Sequence, residues 1–251
     1  MSIFITGDCH AEWNNRFNTR NFPEQKTMTK KDFVIVCGDF GYWTDSIFQD
    51  YWLDWLNEKP FTTLFVDGNH ENFDGLYDMP EENWKGGRIH RVRESIIHLM
   101  RGQIFNLENH TFFTFGGASS HDIQGGVLEP DDPEYEEKRD SLEELMLPYR
   151  IHHYSWWEQE LPSREECQEG LRNLEAAGWK VDYIITHCCA SSIQAQMNLA
   201  GPYPEDRLTE YLESIRRKTR YRMWYFGHYH RNANVGERET ALYEKIVPVF
   251  E

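Results

Sequence analysis

Three features of the sequence predict an α/β fold. Five short runs of β-branched and aromatic residues read as buried strands, and each leads into Asp, Asn or His. Stretches with helical periodicity separate the strands of the first half. Over residues 95–118 that alternation gives way to closely spaced strands, which predicts a change from one sheet to a second. At 251 residues the chain is expected to form one domain, 1–251, with an acidic insertion at about 122–148.

The first strand run, residues 2–6, is followed by Gly7-Asp8-Cys9-His10. The second, in DFVIVCGDF, ends in Gly38-Asp39-Phe40. A helix is expected next, because Ile47, Phe48, Tyr51, Trp52, Trp55 and Leu56 recur at helical spacing with Asp45 near the start. The third strand, in FTTLFVDGNHE, ends in Gly68-Asn69-His70-Glu71. Residues 95–118 read as two or three short strands with tight turns at Arg101-Gly102 and at Glu108-Asn109-His110. The acidic stretch that follows carries loop signals (Gly125-Gly126, Pro130, Pro133) and then a short helical pattern. It reads as a solvated surface excursion, with a lid over the site as the functional alternative. Ser163 and Glu166 form a capping box that starts a helix, with Gly178 as its stop. VDYIITHCC leads a strand into His187, PEDRLTEYLESIRRK reads as an amphipathic helix, and RMWYFGHYH ends in Gly227-His228-Tyr229-His230. The tail TALYEKIVPVF reads as one final strand.

Bulk properties exclude several classes. No run reaches the ~18 apolar residues of a membrane span, so no membrane association is expected. The chain opens directly into a strand without a signal-peptide pattern. Its five cysteines lack the spacing of a disulfide framework, so the expected location is the cytoplasm. A formal net charge of −16 disfavours long nucleic acid as a partner, since such binding rests on Lys and Arg contacts to phosphates. A small phosphorylated substrate remains compatible if metal ions supply local positive charge. Nothing in the sequence assigns an oligomeric state.

Ligands and catalytic groups in α/β sheets gather at the carboxyl ends of strands. The groups found there are Asp8, His10, Asp39, Asn69, His70, His187, His228 and His230. Oxygen and imidazole donors without a thiolate suit Mn, Fe or Zn. They are too many for one ion and enough for two if one carboxylate bridges. Two ions ~3.5–4 Å apart clamp phosphoryl oxygens and generate a hydroxide nucleophile at neutral pH.

In that order, GDCH, GDF, GNHE, THCC and GHYH resemble the five motifs of the calcineurin-like metallophosphoesterases, over residues 7–230. FGGASSHD (115–122) and SWWEQELPS (155–163) are similar to a bacterial cytosolic branch of that family, a likeness that narrows the substrate very little. The resemblance implies a four-layer sandwich: two packed mixed β-sheets flanked by helices, with the metal site at the carboxyl ends of strands. It implies two divalent ions (Mn, Fe or Zn). Asp8, His10 and His230 would hold one, Asn69, His187 and His228 the other, and Asp39 both. His70 would contact the scissile phosphate and protonate the leaving group.

The residue types suit these roles. A bridging carboxylate offsets charge between two cations, and Asn69 adds an oxygen ligand without adding another negative charge. In an extended segment His228 and His230 would point the same way. Gly7, Gly38, Gly68 and Gly227 would let the backbone turn sharply. Cys9 should point away from its neighbours, and Cys188 reads as a buried apolar thiol. Glu71 reads as a hydrogen-bonding support. Singly, each histidine would be an ordinary polar residue. His90, His98, His110, His121, His152 and His153 are read that way, with His121 and His152 closest to the cleft. Arg150 is a candidate phosphate contact, with a surface role as the alternative, and Tyr42 and Trp43 are candidate stacking groups. Asp39-Phe40-Gly41 departs from the Asp-Arg-Gly of phosphoprotein phosphatases, whose arginine grips phosphate. The expected activity is metal-dependent hydrolysis of a small phosphate mono- or diester. The alternatives are a nuclease, a phosphoprotein phosphatase, or a non-catalytic scaffold binding a protein partner.

Overall fold

The computed structural model describes residues 1–42, 47–197 and 203–249. Trp43 and Asp45 therefore lie outside the described residues. In chain order the strands are β1 (Ile3–Thr6), β2 (Phe33–Cys37), β3 (Thr62–Val66), β4 (Glu81–Trp84), β5 (Gly87–Arg93), β6 (Ile96–Leu99), β7 (Gln103–Leu107) and β8 (His110–Phe115). After them come β9 (Val127–Leu128), β10 (Arg150–Ile151), β11 (Tyr183–Thr186), β12 (Met223–Phe226), β13 (Ala233–Asn234), β14 (Glu239–Ala241) and β15 (Val247–Pro248). The helices are α1 (Trp13–Arg16), α2 (Ile47–Asn57), α3 (Phe73–Tyr77), α4 (Tyr135–Glu144), α5 (Arg164–Ala176), α6 (Ser191–Gln196) and α7 (Arg207–Lys218).

Two mixed sheets form, as expected. The first has the order β15-β1-β2-β3-β6-β5-β4, and the second β13-β14-β12-β11-β8-β7. β1, β2, β3 and β6 run parallel, as do β8, β11, β12 and β14. The switch falls between β6 and β7, at the turn expected at Arg101-Gly102.

Both faces of the central strands are buried, which is why they read as continuous apolar runs. Ile3, Ile5, Ile35, Cys37, Leu64 and Val66 face Phe112, Ile185 and Tyr225 of the other sheet. Alternate residues Val34, Val36 and Phe65 pack outward with Trp13, Leu53 and Leu56. On the far side Ile184, Trp224 and Phe226 pack with Leu174, Ile193, Leu208 and Leu212. The layers are thus helix, sheet, sheet, helix. Fully burying each such side chain is worth roughly 1.5–3 kcal/mol.

Four expectations change. Helical periodicity at α2 is present, but Ile47, Phe48 and Tyr51 are 90 %, 73 % and 62 % exposed, and the buried positions are Gln49, Leu53 and Leu56. The i, i+4, i+7 spacing of those three, not the denser aromatic series, faces the sheet. The β4–β5 hairpin was not foreseen, because Glu81-Glu82-Asn83 at a sheet edge has no apolar alternation. The tail is not one strand. β14 lies in the second sheet and β15 pairs antiparallel with β1, with the chain crossing between sheets at buried Leu242. Finally, the acidic stretch is tied down by a short parallel pair, β9 with β10, while α4 buries no residue and is solvated.

Candidate metal centre

The ends of β1, β2, β3, β11 and β12 converge at the edge where the two sheets meet. Asp8, Asp39, Asn69 and His187 are 2 % exposed or less. Asp8 accepts from the His228 backbone N–H (2.9 and 3.1 Å), and its Oδ2 lies 3.2 Å from His230 Nε2. His230 Nε2 in turn faces His10 Nε2 at 3.2 Å, and His10 Nε2 is 3.7 Å from Asp39 Oδ2. On the other side His187 Nε2 lies 3.3 Å from both Asp39 Oδ1 and Asn69 Oδ1. His187 Nδ1 is fixed by the Cys37 carbonyl at 2.8 Å, which leaves Nε2 for the centre. The Asn69 amide nitrogen donates to Ser120 Oγ (3.3 Å), so its oxygen is the end turned inward. The His228 ring stands edge-on to His187 at 5.0 Å.

Imidazole nitrogens that face each other beside two buried carboxylates suit cations between them. Two overlapping groups could hold one: Asp8, His10 and His230, and His10, Asp39 and His70, with donor atoms within 4.8 Å of one another in each. His70, read as a non-ligand, thus lies close to ligand-type atoms, and its backbone N–H donates to Asp39 Oδ1 at 2.9 Å. Cys9 is no donor. Its thiol turns back to the Gly7 carbonyl, and burial pushes it up to about 12, so it stays protonated.

Electrostatics follow from burial and these neighbours. Burial alone would raise Asp39, but the charges of His187 and His70 hold it well below the usual carboxylate range. Burial alone would lower His187, but Asp39 and Asp8 hold it up at about 9. Burial, aided by the His187 charge, holds His228 well below 6.5. Its hydrogen bond to Asp8 raises His230.

The backbone reaches this arrangement by a different route from the one expected. His10, Asp39, His228 and His230 all have left-handed φ, between 45° and 68°. Such residues cost about 1–3 kcal/mol each and cluster at functional sites. His228 and His230 therefore reach the centre through a tight turn, not an extended segment. Gly68 and Gly227 do not have positive φ. A Cβ on either would occupy the place of the Asp39 or Asp8 carboxylate, so they permit close approach.

Glu71 supports the loops, as read from sequence. Its buried carboxylate accepts from the backbone N–H groups of Phe40 (2.7 Å), Gly41 (3.1 Å), Tyr42 (2.9 Å) and Gly68 (3.4 Å). Arg16 was missed, although it clamps the first loop through Thr6, the Asp8 carbonyl and the Tyr243 carbonyl. An arginine in a four-residue helix carries no sequence signal for that task. Arg150 is 16 % exposed and bound by Asp122 (2.5 Å), so it is not a free surface residue. Its nearness to the centre is felt at His70, which it helps to lower after burial. His121 reaches the centre, with its ring 5.7 Å from that of His228. His152 does not, and pairs with Glu129. Tyr42 is buried and packs on Gly75, so it offers no stacking face. Cys188 is buried as read.

A second buried polar cluster begins two residues before Asn69. Arg101 donates to Asp67 Oδ2 at 2.9 and 2.5 Å, His98 Nε2 lies 3.0 Å from Asp67 Oδ1, and His90 Nδ1 lies 3.1 Å from His98 Nδ1. His90 and His98 are thus structural.

The calcineurin-like phosphoesterase family model matches residues 1–232. Among curated proteins, lariat debranching enzyme A of Xenopus laevis is 28 % identical over 148 residues, 51 % of this chain and 26 % of that protein. The human lariat debranching enzyme is 25 % identical over 148 residues, 51 % and 25 % of the two chains. The chain spans about a quarter of the length of the curated relatives it matches. Among solved structures, a phosphopantetheinyl hydrolase from Mycobacterium tuberculosis aligns over 99 % of this chain and 95 % of that one, at 14 % identity and a TM-score of 0.47.

Proposed function

This chain belongs to the calcineurin-like phosphoesterase family and is a metal-dependent phosphoester hydrolase; from that premise we propose that it holds two divalent ions and hydrolyses a small phosphate mono- or diester. The supporting observation is that donor atoms gather on both sides of Asp39: Asp8, His10 and His230 on one, and His187 Nε2 at 3.3 Å from both Asp39 Oδ1 and Asn69 Oδ1 on the other. Asp8, His10 and His230 hold one ion, Asn69, His187 and His228 the other, and Asp39 both. Mn, Fe or Zn fits this donor set. When bound, such ions polarise the phosphoryl group and supply a water-derived nucleophile at neutral pH.

The chain's own residues do the rest. The Cys37 carbonyl and Ser120 hold His187 and Asn69 with their donor atoms inward. His70, whose backbone N–H is fixed on Asp39, turns its ring to the phosphate and gives a proton to the leaving oxygen. Arg150 contacts a phosphate oxygen by exchanging its bond to Asp122.

Substrate size follows from charge. A net charge of −16 repels long polyanions. Phe40, where a phosphoprotein phosphatase has arginine, is fully buried and stacked on Phe65 at 4.2 Å. It offers no phosphate contact, which disfavours that activity. No helix among the described residues is long and apolar enough to cross a membrane, and a cytoplasmic location fits the reduced cysteines. The whole chain acts as one unit, with 122–148 as a surface insertion.

The deciding experiment assays metal-loaded protein against p-nitrophenyl mono- and diesters, nucleotides, DNA and RNA in one buffer. Hydrolysis of small esters with little polymer cleavage is expected. Efficient cutting of long nucleic acid at physiological ionic strength would overturn the small-substrate reading.

A further inference from the structure

Beside the candidate metal centre lies a cavity of about 230 Å³, and His228 belongs to both. Its walls come from the segment after β8 (Ser120, His121), from α6 (Gln194), and from the approach to α7 (Tyr203, Asp206). No lysine or arginine lines it among the described residues.

One side chain in this wall is incomplete. Gln194 is only 3 % exposed, and its amide nitrogen donates to the Tyr203 carbonyl. That bond fixes the orientation of the amide, because an oxygen in its place would face another oxygen. Oε1 is left as a buried acceptor with no hydrogen-bond partner among the described residues. Buried acceptors are rarely left so, and each such case calls for an explanation. His121 Nδ1, in the same lining, is a second buried polar atom without a hydrogen-bond partner.

The remaining features narrow the guest. The rings of His121 and Tyr203 are 4.6 Å apart, and Tyr203 also packs on His228 at 5.2 Å and Tyr229 at 5.0 Å, so the walls are aromatic. Aromatic walls favour a planar ring. The volume is below the ~300–1,000 Å³ of pockets for larger ligands and suits one ring system. With Asp206 at the border and no cation present, a second phosphate is unfavourable there. The guest must instead bring N–H groups to Gln194 and His121.

Resting on the phosphoesterase reading, we propose that this cavity is the subsite for a nucleobase carried by the phosphate ester, which makes the substrate a short nucleotide. Flipped bases are held in this manner elsewhere, by hydrogen bonds to the base edge and by aromatic walls.

Two diesters test it: thymidine 5′-(p-nitrophenyl phosphate) and methyl p-nitrophenyl phosphate. Both release p-nitrophenolate, so they differ only in the group that stays on phosphorus. Metal-loaded protein should show a KM for the thymidine ester ~10-fold below that of the methyl ester, the worth of one recovered buried hydrogen bond. Gln194→Met, close in volume, and Tyr203→Ala should each collapse that ratio. Calorimetry adds an arm without turnover: thymidine 5′-monophosphate should bind ~10-fold tighter than inorganic phosphate, and Gln194→Met should erase the difference. Gln194→Met carries the test if Tyr203→Ala does not fold. Equal KM values in the wild type overturn the subsite while leaving the hydrolase reading intact, as does a ratio that survives both variants. An acyclic amide-bearing ester that matches the thymidine ester overturns the nucleobase assignment. Failure to hydrolyse either ester strikes the small-ester reading itself, and this subsite with it.

Discussion

Asp67 and Asp39 are buried carboxylates at the ends of β3 and β2, and their surroundings neutralise them differently. At Asp67 burial would raise the carboxyl, but the bidentate Arg101 guanidinium and His98 hold it far below the usual range. Arg101 has its own further partner in the Gln159 carbonyl at 2.7 Å. At Asp39 the close partners are His187 and His10 and the His70 backbone N–H, with donor nitrogens of His10 and His230 aimed at each other. The first network brings its own fixed cation, the Arg101 guanidinium. The second gathers ligand atoms around a place that cations would fill. Buried polarity alone therefore does not set the two apart: Asp67 is paired with a guanidinium that only donates, whereas Asp39 is paired with imidazoles, whose nitrogens can also serve as metal ligands.

The sharpest break in this contrast is Asp39→Ala. Activity should fall to background, and elemental analysis should find both ions depleted, whereas His230→Ala should mainly empty one. A wild-type protein with a single ion at saturating metal would refute the shared carboxylate. His70→Ala should retain two ions yet lose ~10²–10⁴-fold in kcat, the usual worth of general acid help. Loss of an ion instead would make His70 a ligand, as its place beside His10 and Asp39 allows.

Stability tests probe the other network. Arg101→Met leaves Asp67 buried without its cation and should cost ~3–5 kcal/mol in urea unfolding. In metal-free protein, Asp39→Ala should cost much less, and equal costs would erase the distinction drawn here. The smallest effect concerns His90, which burial and the neighbouring His98 lower to about 4. In the unfolded chain it titrates near 6.5, so below that pH the unfolded state binds the extra proton. Stability present at pH 7 is then lost as pH falls from about 6.5 towards 4, by at most about 2 kcal/mol at pH 5. His90→Gln should flatten that part of the stability profile, and an unaltered slope would remove His90 as its source.

The convergence of the candidate donors was legible because each follows a short apolar strand run that could be delimited in the sequence. Glu71 could be read as a support because it adjoins such a motif. Asp67 could not, since its partner Arg101 lies in a distant segment, and Arg16, Gln194 and Tyr203 could not, since they bond to backbone carbonyls or pack through rings and carry no motif of their own. At α2 the period was legible but the face was not, because the apolar residues outnumber those the sheet can cover, and Ile47 and Phe48 remain in solvent. The turn at His228 and His230 was misjudged for a local reason. Left-handed φ in a non-glycine residue is imposed by the assembled site and leaves no pattern in neighbouring residues.

The hydrogen bond from the His228 backbone to Asp8 joins residues 220 apart in sequence. Closing so long a loop costs only ~0.6 kcal/mol more for each doubling of its length, but topology of this kind sets the rate of folding. Donors from the first sheet can meet those from the second only after both have formed and docked. Ions can then act as a late clasp and not as a template for the earliest structure. Their contacts would be absent from the transition state for folding, so they would slow unfolding far more than they speed refolding. A chelator should accordingly raise the unfolding rate and leave the refolding rate almost unchanged, which makes metal supply a control on the protein's lifetime as well as on its chemistry.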